Sequence, residues 1–149
     1  MEHKQFEYLD HTADIEFRAY GKTLKNAFEN AAKAFSNSIV DIKTVSKQKE
    51  ILIEKDSESI EALLFDFLSE LLVKHETEHM IYRDFIIKSL RRTADLDGKS
   101  GWHITCKAFG EKLDLKKHEV DTYIKAITYS QMKIEKKNGG FVIQMVLDI

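Results

Sequence analysis

Proline is absent from this 149-residue chain, cysteine occurs once, and glycine only six times. Without proline- or glycine-rich tracts there is no point where two domains would part, so residues 1–149 read as one domain. The scattered glycines form no phosphate-cradling loop. The single Cys106 excludes an intramolecular disulfide and fits a reducing, cytoplasmic setting. It alternates with polar neighbours, which makes it a core filler rather than a nucleophile. No stretch approaches the ~20 apolar residues that span a bilayer, and the charged N-terminus resembles no leader, so no membrane association is expected. A formal charge of −2 gives no global attraction to nucleic acid. Direct sequence-specific nucleic-acid binding is therefore not expected, and an RNA-related role would work through a local patch or a protein partner.

What is present is period. Between Tyr8 and Gly21 a polar run, Asp10-His11-Thr12-Ala13-Asp14, precedes an alternating stretch with Ile15, Phe17 and Ala19 on one face and Glu16, Arg18 and Tyr20 on the other. That reads as a half-buried strand closed by a turn at Gly21. Thr23 is a candidate N-cap for a helix carrying Leu24, Phe28, Ala31 and Phe35, whose alanines suit close packing on a sheet and whose end is expected near Asn37 or Ser38. Residues 49–55 read as a strand, with Asp56 or Ser57 capping a second helix. Ile60, Leu63, Leu64, Phe67, Leu68, Leu71 and Leu72 give that helix the clearest apolar stripe in the chain. Strands follow: one over 81–90, a turn over Asp95–Gly101, one from Trp102 interrupted at Gly110-Glu111, and two long ones over 123–135 and 140–148 joined at Asn138-Gly139-Gly140. The fold class is α+β, a two-layer domain with a mostly antiparallel sheet and two main helices packed on one side.

Two patterns carry chemistry. His75-Glu76-Thr77-Glu78-His79 matches the pattern of zinc peptidases, where two imidazoles one helical turn apart hold the metal. It lies beyond the last apolar residue of the second helix, where a strand is about to begin, and no downstream ligand follows at the required spacing. A small zinc-dependent hydrolase is thus the lesser reading, beside a general chaperone or protein-interaction module. The stronger pattern is acidic: Asp14 at the mouth of one strand, and Asp148 beside the carboxylate of Ile149 at the end of another. If these carboxylates share one site, the strands that carry them are neighbours in the sheet. Hard oxygen donors of this kind suit calcium, magnesium or manganese rather than zinc. A cation, or a lysine such as Lys125, would offset their mutual repulsion.

His11-Thr12-Ala13-Asp14, Phe109-Gly110-Glu111, Lys117-His118-Glu119, Lys125-Ala126-Ile127-Thr128-Tyr129 and the closing Leu147-Asp148-Ile149, together with both helices, resemble the archease family over nearly the whole chain. Ser130 stands where many members carry histidine. The resemblance implies a non-enzymatic protein cofactor of an RtcB-type RNA ligase, promoting ligase guanylylation and multiple turnover in tRNA splicing. It implies a divalent-cation site, most often calcium, on Asp14, Asp148 and Ile149. His11, Lys125 and Glu111 are the further candidates.

Overall fold

In a computed structural model of the chain the described residues are 4–9, 13–94 and 98–149. The alternating stretches form strands β1 (Phe6–Leu9), β2 (Ile15–Gly21), β3 (Lys49–Ser57), β4 (Met80–Ala94), β5 (Ser100–Lys112), β6 (Ala126–Ile127), β7 (Lys133–Lys137) and β8 (Gly140–Asp148). The two helical patterns form α1 (Leu24–Ile39) and α2 (Ile60–Glu78), and one 3-10 turn spans Ile42–Thr44. All strand pairs among the described residues are antiparallel, in keeping with the α+β class.

The strands divide between two sheets, a division that alternation alone does not announce. The larger runs β1-β2-β8-β6 with β7 also paired to β8, and the smaller runs β3-β5-β4. Helix α1 packs on β1, β2 and β8 and also on β4, while α2 packs on β3, β4 and β5 and reaches β6. The alanines explain how one helix serves both sheets. Ala27, Ala31, Ala32 and Ala34 are fully buried and let backbones approach, while Phe28 and Phe35 fill the remaining space. Phe28 stacks on Phe67 of α2 at 6.4 Å between ring centroids, and Phe67 meets Phe85 of β4 edge-on at 6.5 Å. These three rings join the two halves.

Each sheet contains the same unit. β2 leads into α1, and β2 later pairs with β8, the second strand of the β7–β8 hairpin. β3 leads into α2, and β3 pairs with β5, the second strand of the β4–β5 hairpin. The caps match too. Thr23, two residues after β2, accepts from the Asn26 N–H, and Ser59, two residues after β3, accepts from the Ala62 N–H. Ser59 rather than Asp56 or Ser57 caps α2, because those two residues still pair with His103 and Trp102 of β5.

Other boundaries also differ from the sequence reading. β5 continues through Gly110 to Lys112. Gly110 allows this because a Cβ there would lie 2.0 Å from the Ile81 carbonyl oxygen. The expected long strand over 123–135 is two short ones. Between them Met132 N–H donates to the Tyr129 carbonyl at 3.2 Å and Gln131 adopts φ 56°, a left-handed turn that breaks the ladder. The β7–β8 hairpin turns at Asn138 and Gly139, with φ of 51° and 77°, the pair of positive values its two-residue turn needs. Residues 95–97 of the expected Asp95–Gly101 turn lie outside the described residues.

Candidate functional site

β8 ends between two strands. Against β2 it pairs Leu147 with Ile15, and against β6 it pairs Asp148 with Ala126 and Leu147 with Ile127. The Lys125 N–H donates to the Asp148 carbonyl at 2.7 Å. Asp14 lies in the bend just before Ile15, at the same end of the sheet as Asp148. Opposed residues project to the same face. Phe17, Met145 and Leu147 are fully buried on the helix side. Alternation therefore carries Asp148 to the face away from the helices, and both it and Asp14 are half-buried. The pairing of β2 with β8 brings these two ends of the chain to the same end of the sheet.

The other candidates fall differently. Lys125 is exposed and sits beside Ile149, one step out of phase with the two acids, and among the described residues it makes no ion pair. Ile149 is 38% exposed. His11 lies outside the described residues. Glu111 belongs to the other sheet. Its Oε2 accepts from the Ser46 N–H at 2.6 Å, the Lys117 Nζ at 2.7 Å and the His118 Nε2 at 3.0 Å. The Asp114 N–H donates to His118 Nδ1, so Nε2 carries the ring proton and donates to Glu111. Burial pushes the Glu111 pKa up, but the Lys117 ammonium, the Ser46 N–H and His118 outweigh it and hold the carboxyl below its ordinary range. The sequence pattern marked Glu111 and the Lys117-His118 loop separately. Their pairing, and the part of Ser46, needed the fold.

The two histidines of the zinc-peptidase pattern do not continue one helical face. Helix α2 continues through His75 to Glu78, but His79 is its left-handed C-cap with φ 57°, and His75 Nδ1 lies 3.0 Å from the Met80 carbonyl. The cap turns His79 out of helical register with His75. Cys106 is fully buried, and burial pushes its thiol up to about 12, which removes it as a nucleophile.

Among the described residues no three His, Cys, Asp or Glu side chains gather as a metal site. Asp14 and Asp148 supply two carboxylates at this end of the sheet. Carboxylate oxygens fit a hard cation, which takes 6–8 oxygens when it is calcium and accepts water for the remainder.

The archease protein family model matches residues 6–149. The chain is similar to protein archease of Methanosarcina barkeri, 45% identical over 98% of this chain and 97% of that one. It is likewise similar to protein archease of Pyrococcus abyssi, 44% identical over 98% and 99%. Among solved structures it resembles protein 1598 of Methanobacterium thermoautotrophicum, with a TM-score of 0.77 and 34% identity over 97% of this chain and 99% of that one. It shares its fold with a Thermotoga maritima archease described as a possible chaperone, with a TM-score of 0.55 and 18% identity over the full length of both.

Proposed function

Because the chain belongs to the archease family, we propose that it is a non-enzymatic protein cofactor of an RtcB-type RNA ligase. In this reading it acts in the cytoplasm in tRNA splicing, promoting guanylylation of the ligase and its repeated turnover. The observation that supports the reading is that β8, which ends at Asp148, pairs with β2, the strand that begins just after Asp14. Two carboxylates on adjacent strands repel unless a positive charge joins them. Asp14, Asp148 and the Ile149 carboxylate would hold the cation, calcium first and magnesium or manganese as alternatives. Bound there, it would supply positive charge with positions open to oxygens of a partner. The strands then serve as a rigid mount: Leu147 and Ile15 fix the two backbones, and the Lys125 N–H fixes the Asp148 carbonyl.

The test is turnover of an RtcB-type ligase on tRNA halves, with ligase far below substrate and with or without this protein. Sealing beyond one equivalent of ligase only when the protein is added is the expected result, and Asp148→Asn should remove most of that stimulation. Equal turnover with and without the protein would overturn the reading. So would stimulation that Asp148→Asn leaves intact while the variant also prevents aggregation of unrelated proteins, which is the behaviour of a general chaperone.

A further inference from the structure

The outer face of the larger sheet is acidic at one end and basic at the other. From Glu16 the outward positions of β2 continue to Arg18 and Tyr20, with Asp14 in the bend before the strand and Lys22 in the turn after it. Register places Arg18 in one row with Gln144 and Lys133, and Tyr20 in the next with Val142 and Glu135. The third row holds Lys137 opposite Gly140, and a Cβ on Gly140 would lie 3.6 Å from the Cα of Lys22. Arg18, Lys133, Lys22 and Lys137 therefore mark the corners of a rectangle two strand spacings wide and four residues long, about 10 Å by 14 Å.

All four corners are exposed, and among the described residues the three lysines enter no ion pair or hydrogen bond. Arg18 Nε donates to Gln144 Oε1 at 3.0 Å, a partner without charge. Glu135 is the one acid inside the rectangle. Glu7, opposite Arg18 at its margin, is offset by Lys4 at 2.6 Å. An open groove of about 1160 Å³ takes in all four corners. Lys4 and Lys33 also line it, as does Glu29, whose carboxylate is held by the Asn26 amide and the Ile87 N–H.

Lysines on an edge strand such as β7 are also a defence against edge-to-edge aggregation. That explains Lys133 and Lys137. It does not explain Arg18 and Lys22, which belong to a strand paired on both sides and to the turn that follows it.

We propose that this basic rectangle binds the phosphodiester backbone of single-stranded RNA, without sequence preference. The choice of RNA among polyanions rests on the function proposed above. Along β2 the basic rectangle begins at Arg18, about 13 Å from Asp14, and ends at Lys22, about 26 Å from it, so one end of the face can meet a ligase while the other holds its substrate. Four cations against one carboxylate leave a net of about three phosphate contacts, for which single-stranded binding should follow a log–log salt slope of about −2.

The experiment is fluorescence anisotropy of the full chain with a fluorescein-labelled oligouridine of about 16 nucleotides, at roughly 50 and 200 mM salt. Affinity should fall about 15-fold across that range. The triple variant Lys22→Gln, Lys133→Gln, Lys137→Gln should lose roughly tenfold or more at the lower salt and flatten the slope. The variant Lys88→Gln, Arg91→Gln, on the other sheet, should stay within about twofold of the parent. Lys133→Gln alone, the mildest change, should reduce the slope by about 0.7. Absence of salt-dependent binding by the parent, or equal losses in the two multiple variants, would overturn the proposal. Ligase turnover measured alongside separates the two readings. Stimulation without RNA binding removes the groove and leaves the ligase cofactor, whereas RNA binding without stimulation does the reverse.

Discussion

The two β-α-β-β units put a carboxylate at the same corner and use it differently. In the smaller sheet Lys49, the first residue of β3, pairs with Gly110, and Glu111 follows. In the larger sheet Ile15, the first residue of β2, pairs with Leu147, and Asp148 follows. Glu111 and Asp148 are positional counterparts. Glu111 is 7% exposed and receives three donors from its own chain. Asp148 is half-buried, and among the described residues its side chain has no hydrogen bond or ion pair. One corner is closed by the loop that carries Lys117 and His118. The other presents a carboxylate that no described residue neutralises. The same topology thus yields a structural anchor in one unit and a candidate site in the other.

The largest effect should come from breaking the joint between the units. Phe67 is fully buried and touches Phe28 and Phe85. Phe67→Ala should cost about 3–5 kcal/mol through lost burial and the cavity left behind. Urea denaturation would check it, and a loss under about 1 kcal/mol would mean that the units do not depend on this contact.

Next comes the closed corner. Glu111→Ala removes the acceptor of the Ser46 N–H and of His118 and should cost about 3 kcal/mol. The pH dependence has a definite sign. The folded-state pKa of Glu111 is depressed below the ordinary value of 4.5, so its contribution is present above about pH 4.5 and is lost as pH falls through the folded value. Stability of Glu111→Gln should accordingly vary less than that of the parent between about pH 5 and pH 3. Parallel pH curves would show that Lys117 and His118 do not hold the charge.

The matched caps should give matched, smaller losses. Thr23→Ala and Ser59→Ala each remove one acceptor from a helix N-terminus, at about 1 kcal/mol each. Equal shifts in thermal melting would confirm that the two units begin their helices by the same device.

How far the sequence carried this comparison follows from what kind of contact each feature needs. The strand Ile15–Gly21, both helices and the Asn138-Gly139 turn follow from local period and turn chemistry, and they appear where expected. That β2 and β8 are neighbours was expected only on the condition that their acid-bearing ends share a site, and the two strands do pair. The split into two sheets was not legible, because alternation reports that a face is buried and not which element covers it. The break at 128–132 was hidden because Thr128 and Tyr129 favour strands by type, while the turn depends on a hydrogen bond to Val146 across the sheet. Arg18 and Lys133 come from opposite ends of the chain, so no window on the sequence could place them in one row.

The smallest effect on stability should come from the open corner, and it separates the corners most sharply. Asp148→Asn removes one of the two charges while keeping the shape, and its backbone bond from Lys125 is untouched. Without added cation the variant should melt within about 0.5 kcal/mol of the parent, since a partly solvated charge away from a network contributes little. Relief of repulsion from Asp14 would act in the variant's favour. Calcium should then discriminate. At a free concentration about a hundredfold above its Kd, a ligand that binds only the folded state adds about 2.7 kcal/mol. The parent should gain that increment and Asp148→Asn should not, whereas Glu111→Gln should gain it in full, because its corner takes no cation. A chain extended by one residue beyond Ile149 tests the third carboxylate in the same assay, since it moves that charge about 3.3 Å or more along the backbone. Equal calcium shifts in the parent and in Asp148→Asn would place any cation elsewhere and leave the two corners alike in function as well as in topology.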